Sequence, residues 1–194
     1  MGRPNHTNRN SKPILEKEYK ILKSYINGLD SFETTKTKWL RSVELLFISG
    51  LRVSEILSLK ISDINLGIET SELSVFVKKQ KIIRHIPLSD KSISTLKKLI
   101  KDEEDENSYF IHKRNSKRRN LNHIGFTKDF NQLIQLVLGS EYSSHSFRKG
   151  LITQMSMKGI NPKITQSFIG HRNVTTTLNY YKPTVEDIRE CLVR

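Results

Sequence analysis

Five side chains of this 194-residue sequence could together perform chemistry on a phosphodiester: Arg52, His145, Arg148, His171 and Tyr180. Guanidinium groups keep their charge and grip two phosphate oxygens at once, which suits the charge spread over a phosphoryl transition state. A tyrosine hydroxyl can act as a nucleophile and form a covalent intermediate that stores the energy of the broken bond. Each residue alone is more often part of a surface ion pair or a core. Their order along the chain favours metal-free phosphoryl transfer.

The elements that must position these residues are mainly helices. Apolar residues at helical spacing predict helices over 14–29, 35–48 and 53–59, and Gly50 ends the second. Capping residues and glycines predict further helices over 89–100, 121–138, 144–159, 161–170, 175–181 and 184–194. Two alternating stretches, 73–77 and 82–87, predict a β-hairpin with a basic tip at 78–81.

The charge balance favours a polyanionic partner, and double-stranded DNA comes first. Lys and Arg outnumber Asp and Glu by 33 to 20, which gives a net charge of +13. No apolar run approaches the roughly 20 residues of a spanning helix, and the N-terminus lacks a signal-peptide core. Alanine is absent while Lys, Asn, Ile and Ser abound. We therefore expect a soluble, intracellular, DNA-associated protein of an AT-rich genome, in the bacterial cytoplasm or an organelle such as a plastid.

No metal or other cofactor is expected. Cys191 is the only cysteine, and no histidine pair has metal-ligand spacing.

Two loops differ in charge: the acidic stretch 102–107 is interpreted as a solvated connection, and the basic stretch 113–120 as either a phosphate-contacting loop or a solvated one.

Three segments resemble motifs of the tyrosine recombinases and phage integrases. Gly-Leu-Arg-Val-Ser-Glu at 50–55, with Asp63-Ile64 downstream, is similar to the first arginine motif, and His145-x-x-Arg148 is similar to the second. Phe-Ile-Gly-His at 168–171, with Tyr180 nine residues later, resembles the Leu-Gly-His segment and the nucleophile. The likeness runs from about residue 45 to residue 183.

The resemblance implies a role for each residue of the site. Arg52 and Arg148 would clamp the non-bridging oxygens of the scissile phosphate, and Glu55 would orient Arg52. Tyr180 would attack the phosphate, form a 3′-phosphotyrosyl bond and release a 5′-hydroxyl. Tyr181 is the alternative nucleophile, but the spacing from His171 favours Tyr180.

Histidines and lysines would move protons. His145 would act as a general base toward the phenol or donate a hydrogen bond to the phosphate, and His171 would donate to a phosphate oxygen. The family places its general-acid lysine at the tip of the hairpin. Lys79 is the best match there, and Lys78 and Lys81 remain alternatives.

Further cations are expected to bind DNA. Lys149 stands where many relatives have a second histidine and keeps a cation near the phosphate. The full set of expected contacts is Lys78, Lys81, Lys113, Arg114, Lys117, Arg118, Arg119, Lys149 and Arg172.

The resemblance implies the tyrosine recombinase catalytic fold, which is mainly α with a small antiparallel sheet. We expect a flexible basic arm at 1–12 and one catalytic domain at 13–194, without a separate N-terminal domain. Ile188, Leu192 and Val193 on the last helix would pack on a neighbouring subunit of a DNA-bound tetramer, or on the chain's own core. A type IB topoisomerase and a non-catalytic DNA-binding relative are the alternative functions.

Overall fold

The computed structural model describes residues 11–78, 81–113, 116–170 and 174–181. The chain divides into two compact units, Met1–Leu151 and Ile152–Arg194. The boundary falls within the helix that carries His145 and Arg148. Each unit is described below by itself.

The first unit is helical apart from one hairpin. Its elements are α1 (Glu16–Asn27), α2 (Glu33–Ser49), α3 (Val53–Ile56), α4 (Ile61–Thr70), β1 (Glu72–Val77), β2 (Ile82–Pro87), α5 (Asp90–Ile100), α6 (His123–Leu138) and the start of α7 (Ser144–Met157). The expected fold class is confirmed for the part of the chain described. Two details differ from the prediction: α3 is shorter than 53–59, and α4 was not expected.

The β-hairpin has the alternation that its sequence predicts. The two strands pair antiparallel with Leu73 opposite Ile86 and Phe76 opposite Ile83. One face of β1 buries Leu73, Val75 and Val77, against which α4 packs. The hairpin therefore presents its other face, which includes Phe76 and Ile83, to solvent.

Stacked aromatic rings join α2, α6 and α7 in the core. The ring of Phe130 lies 5.6 Å from that of Trp39 and 6.2 Å from that of Phe147. Val43 and Leu46 of α2 are fully buried. This core fixes the first turn of α7, which carries His145 and Arg148.

The segment before α1 runs along α7. The Lys12 amide donates to the Glu141 carbonyl oxygen and the Ile14 amide to that of Ser146, both at 2.9 Å. Gly150 allows this approach, because a Cβ there would lie only 1.9 Å from the Ile14 carbonyl oxygen. Residues 1–10 of the predicted arm lie outside the described residues.

The second unit contains the end of α7, then α8 (Pro162–Ile169) and α9 (Val174–Leu178). As predicted, the Asn161 side chain caps α8, accepting from the Lys163 amide at 2.8 Å, and Gly170 ends the helix with a φ of 71°. The short α9 packs on α8 and leads to Tyr180. The helix expected over 184–194 lies outside the described residues.

Candidate active site

The corner between α2 and α3 positions Arg52. Gly50 ends α2 in the left-handed conformation, with a φ of 57°, and turns the chain so that Arg52 directly precedes α3. Glu55, three residues later, accepts from the Arg52 amide at 2.8 Å and from Arg52 Nη1 at 2.7 Å. One nearly buried carboxylate therefore both begins the helix and orients the guanidinium group, which stays about one-third exposed (32%).

Arg148 reaches the same corner from α7. Its buried guanidinium donates from Nη1 to the Gly50 carbonyl oxygen at 3.0 Å. Because Gly50 lies two residues before Arg52, this bond brings the two arginine motifs together across 98 residues of sequence. The two guanidinium groups that sequence analysis selected therefore belong to one site.

A cavity of about 240 Å³ lies between these arginines, and His145 lines it with them. His123 and Thr127 of α6 form another wall, and sequence analysis missed both. The cations of Arg52 and Arg148 make the cavity suitable for an anion such as a phosphate group. The signal for His123 lies only in the fold, because α6 is far from both arginine motifs in sequence.

The pKa of His145 is below its ordinary value of 6.5. Partial burial of the ring disfavours the charged form, and the cations Arg148, Arg52 and Lys149 repel an added proton. The residue is nevertheless exposed at the cavity, so its ring can reach a ligand there. A neutral imidazole at pH 7 can accept a proton, as a general base must.

A second cavity, of about 390 Å³, is also lined by Arg52. The hairpin contributes Phe76 and Lys78 to it, and the segment before α6 contributes Asn120. Lys78 therefore lies beside the arginine site, as expected of a cation at the hairpin tip. Lys79, the preferred general acid, lies outside the described residues, and Lys81 is exposed.

Arg84 of β2 is a charged residue of the site that sequence analysis missed. Its buried side chain lies 3.8 Å from Glu55 Oε2, and its Nη2 donates to the Ser49 carbonyl oxygen at 3.3 Å. Burial lowers the pKa of Arg84, and the charge of Glu55 opposes this effect. The available signal was positional: Arg84 occupies an inward-facing strand position, where a charge needs a partner.

Comparison with known proteins identifies the family. Residues 13–186 match the model of the phage integrase family. This chain belongs to the phage integrase family. Tyrosine recombinase XerA of Pyrococcus horikoshii is 32% identical over 152 residues, which are 76% of this chain and 51% of that protein. Tyrosine recombinase XerC of Halalkalibacterium halodurans is 28% identical over 189 residues, 91% of this chain and 59% of that protein. The chain thus spans about half of the length of these curated relatives, or slightly more.

Solved structures of this family show the same fold. The crystal structure of XerA recombinase has a TM-score of 0.65 at 21% identity, covering 98% of this chain and 64% of the other. The Tn1549 transposon integrase in complex with circular intermediate DNA has a TM-score of 0.72 at 23% identity, covering 93% of this chain and 66% of the other. The recombinase fold inferred from the motifs is therefore confirmed.

Tyr180, the predicted nucleophile, lies in the second unit. Tyr180 is half-buried, and its carbonyl oxygen accepts from Ser156 Oγ at 2.7 Å. The hydroxyl of Tyr181, the alternative nucleophile, instead shares a short hydrogen bond with Thr165 Oγ1. His171 and Arg172, like Arg114, lie outside the described residues.

The acidic and basic loops of the chain pair with each other. Lys117 Nζ lies 2.9 Å from Glu103, and Arg118 Nε lies 2.8 Å from Asp105. The interpretation of 102–107 as a merely solvated connection is wrong for Glu103, whose side chain is only 8% exposed. Lys113 and Arg119 are exposed, and neither belongs to an ion pair with another described residue.

Lys149 has a structural contact in addition to its nearness to the site. Its Nζ donates to the Ser11 carbonyl oxygen at 2.8 Å, which ties the segment before α1 to α7. Burial lowers the pKa of this ammonium group.

Two features are absent from the ranges that the structure covers. No set of three or more His, Cys, Asp or Glu side chains there is arranged to hold a metal ion. No helix there has both the length and the apolarity to cross a membrane.

Proposed function

We propose that this chain is the catalytic part of a site-specific tyrosine recombinase that cleaves and rejoins DNA through Tyr180. One observation carries the proposal: Arg52, His145 and Arg148 line one cavity, although the two arginine motifs lie far apart in sequence. Membership of the phage integrase family supports it, as do relatives named tyrosine recombinases. This convergence also disfavours a purely DNA-binding role, which needs no such cavity.

The proposed chemistry combines the groups at the cavity with Tyr180, His171 and a lysine of the hairpin tip. Arg52 and Arg148 bind the non-bridging oxygens and offset the charge that develops on them. Tyr180 Oη attacks the phosphorus while His145 takes the phenolic proton, and His171 donates to a phosphate oxygen. The bond from phosphorus to the 5′-oxygen breaks, and Lys79, or else Lys78 or Lys81, protonates that oxygen. A 5′-hydroxyl of a partner strand then reverses the reaction without ATP or a metal cofactor.

Double-stranded DNA is the proposed substrate. The net charge of +13 suits a polyanion, and the Tn1549 integrase structure contains DNA.

A tetramer on two DNA sites, joined through Ile188, Leu192 and Val193 of the last helix, completes the proposal. A reducing compartment that contains DNA, the bacterial cytoplasm or an organelle, fits the single Cys191.

The test is covalent capture from a pool of nicked duplexes with a randomised core. The wild-type protein should retain DNA after SDS treatment, and sequencing the retained pool should reveal its site. Tyr180→Phe should abolish the adduct, whereas the matched variant Tyr181→Phe should keep it. Binding without any adduct would favour the non-catalytic alternative. Relaxation of supercoiled plasmid without sequence preference would favour the topoisomerase.

A further inference from the structure

Phe76 is an aromatic residue on the solvent-facing side of the hairpin. Its side chain is 56% exposed, as is that of its cross-strand neighbour Ile83, at 57%. Single exposed apolar residues are common and need no explanation. Phe76 differs from Ile83 in its surroundings, because it lines the cavity of about 390 Å³ beside Arg52 and Ile83 does not.

This second cavity adjoins the phosphate cavity. Both are lined by Arg52, Ser54 and His123, so the two cavities share part of one wall. A phosphate bound by Arg52 in the first cavity would therefore bring an adjoining nucleotide of the same strand within reach of the second.

The lining of the second cavity suits a nucleotide. Phe76, Leu57 and Leu121 give it an apolar surface, and Asn120 supplies an amide that can donate to and accept from a base edge. Lys78 adds a cation for the backbone. Glu55 also lines the cavity, but its charge is offset by its bond to Arg52 at 2.7 Å.

We propose that this cavity is a subsite for the nucleotide next to the scissile phosphate, and that Phe76 packs on the base or deoxyribose of that nucleotide. The inference rests on the proposed function, because it takes the phosphate between Arg52 and Arg148 as the one that is cleaved. Phe76 would thereby hold the strand in register with the attacking tyrosine. Aromatic side chains pack on bases with little dependence on sequence, wherever a base is accessible to them.

The test uses a duplex chosen by non-covalent binding to Tyr180→Phe from a random pool, so that no cleavage is needed. 2-Aminopurine is placed at successive positions, and its fluorescence is measured with Tyr180→Phe protein that also carries Phe76→Ala, Phe76→Tyr or Ile83→Ala. Phe76→Ala should weaken binding about 10-fold and change the fluorescence at one position only. Phe76→Tyr and the matched control Ile83→Ala should have little effect on either the binding affinity or the fluorescence.

Equal losses in Phe76→Ala and Ile83→Ala would overturn the proposal, since the patch rather than the cavity would then bind. An unchanged fluorescence scan in Phe76→Ala would also overturn it, even if the wild-type protein cleaves DNA normally. A Phe76-dependent signal, together with failure of the wild-type protein to form a covalent adduct with the same duplex, would instead keep the subsite and refute the recombinase activity. Thermal unfolding of each variant shows whether the hairpin is intact.

Discussion

Arg84 and Glu55 form an ion pair beneath the site, with 3.8 Å between Arg84 Nη1 and Glu55 Oε2 and side-chain exposures of 3% and 7%. The other oxygen of Glu55 accepts from Arg52 at 2.7 Å. Glu55 therefore stands between a buried guanidinium group and one that opens onto the cavity. The orientation of Arg52 depends on a carboxylate that β2 helps to hold in place.

Arg84→Met should destabilise the protein and slow cleavage. Removing one partner from a buried pair leaves the other charge less compensated, so the free energy of unfolding should fall by about 3 kcal/mol. Urea denaturation measures this loss, and single-turnover cleavage measures the effect on Arg52. Arg84→Lys, which keeps the charge, should lose less unfolding free energy than Arg84→Met and should slow cleavage less. A change below about 1 kcal/mol for Arg84→Met would show that the pair contributes little.

Local sequence signals predicted most of the elements. Ser89 caps α5, Asn161 and Pro162 begin α8, and the alternation of the two strands predicted the hairpin. The helix α4 was missed because Gly67 and several polar residues suggest a loop. Its apolar residues become decisive only when they pack on β1, which is tertiary information.

The site was predictable where its residues belong to motifs, and Arg52, His145 and Arg148 do line one cavity. Arg84 and His123 were not found, because their proximity to Arg52 arises from the folding of β2 and α6. The pairing of the two charged loops was missed for the same reason. A run of like charges in sequence does not reveal which of its members are neutralised within the fold.

Lys113 and Arg119 should contribute to DNA binding more than Lys117 and Arg118. All four side chains are exposed, but Lys117 and Arg118 pair with Glu103 and Asp105, whereas Lys113 and Arg119 form no ion pair with another described residue. Each phosphate contact that is lost should reduce the slope of log Kd against log salt by about one. Fluorescence anisotropy at several salt concentrations should show this reduction for Lys113→Ala and Arg119→Ala. An equal or larger change in Lys117→Ala would mean that DNA displaces Glu103.

Glu103 should make stability depend on acidity. Burial would raise the pKa of Glu103, but hydrogen bonds from Lys117 and His112 and the charge of Arg41 outweigh it and lower the pKa from 4.5 to about 2. The folded protein thus binds this proton less readily than the unfolded chain does. The contribution of ionised Glu103 to the stability of the folded protein is therefore present above pH 4.5 and is lost as the pH falls towards 2.

Denaturation of the wild-type protein and Glu103→Gln at a series of pH values tests this. The wild type should be more stable near pH 6, and the difference should shrink between pH 4.5 and 2. Asp102→Asn, at an exposed position of the same loop, is the matched control. A difference that stays constant over this interval would assign the effect to packing rather than to charge.

His145 should titrate below pH 6.5 in the folded protein, and Lys149→Gln should raise its pKa. Partial burial and the charges of Arg148, Arg52 and Lys149 all disfavour the imidazolium form, and the substitution removes one of these charges. NMR titration of the His145 ring, assigned with His145→Gln, measures the shift. If His145 is the base, the cleavage rate should fall on the acid side of the same midpoint. A midpoint at or above 6.5 in the wild type would contradict this.

Gly150→Ala should detach the segment before α1 from α7. The new methyl group would lie 1.9 Å from the Ile14 carbonyl oxygen, so either the segment or the helix must move. Overpacking of this kind costs about 1–3 kcal/mol of unfolding free energy. Hydrogen exchange should show reduced protection of the Ile14 amide, which donates to the Ser146 carbonyl oxygen at 2.9 Å.

Gly125→Ala on α6 is the control for Gly150→Ala, because its methyl group would meet no atom within 4 Å. A helical alanine there should be neutral or stabilising. Equal stability of the two variants would show that the segment yields without cost, and that α7 does not depend on it.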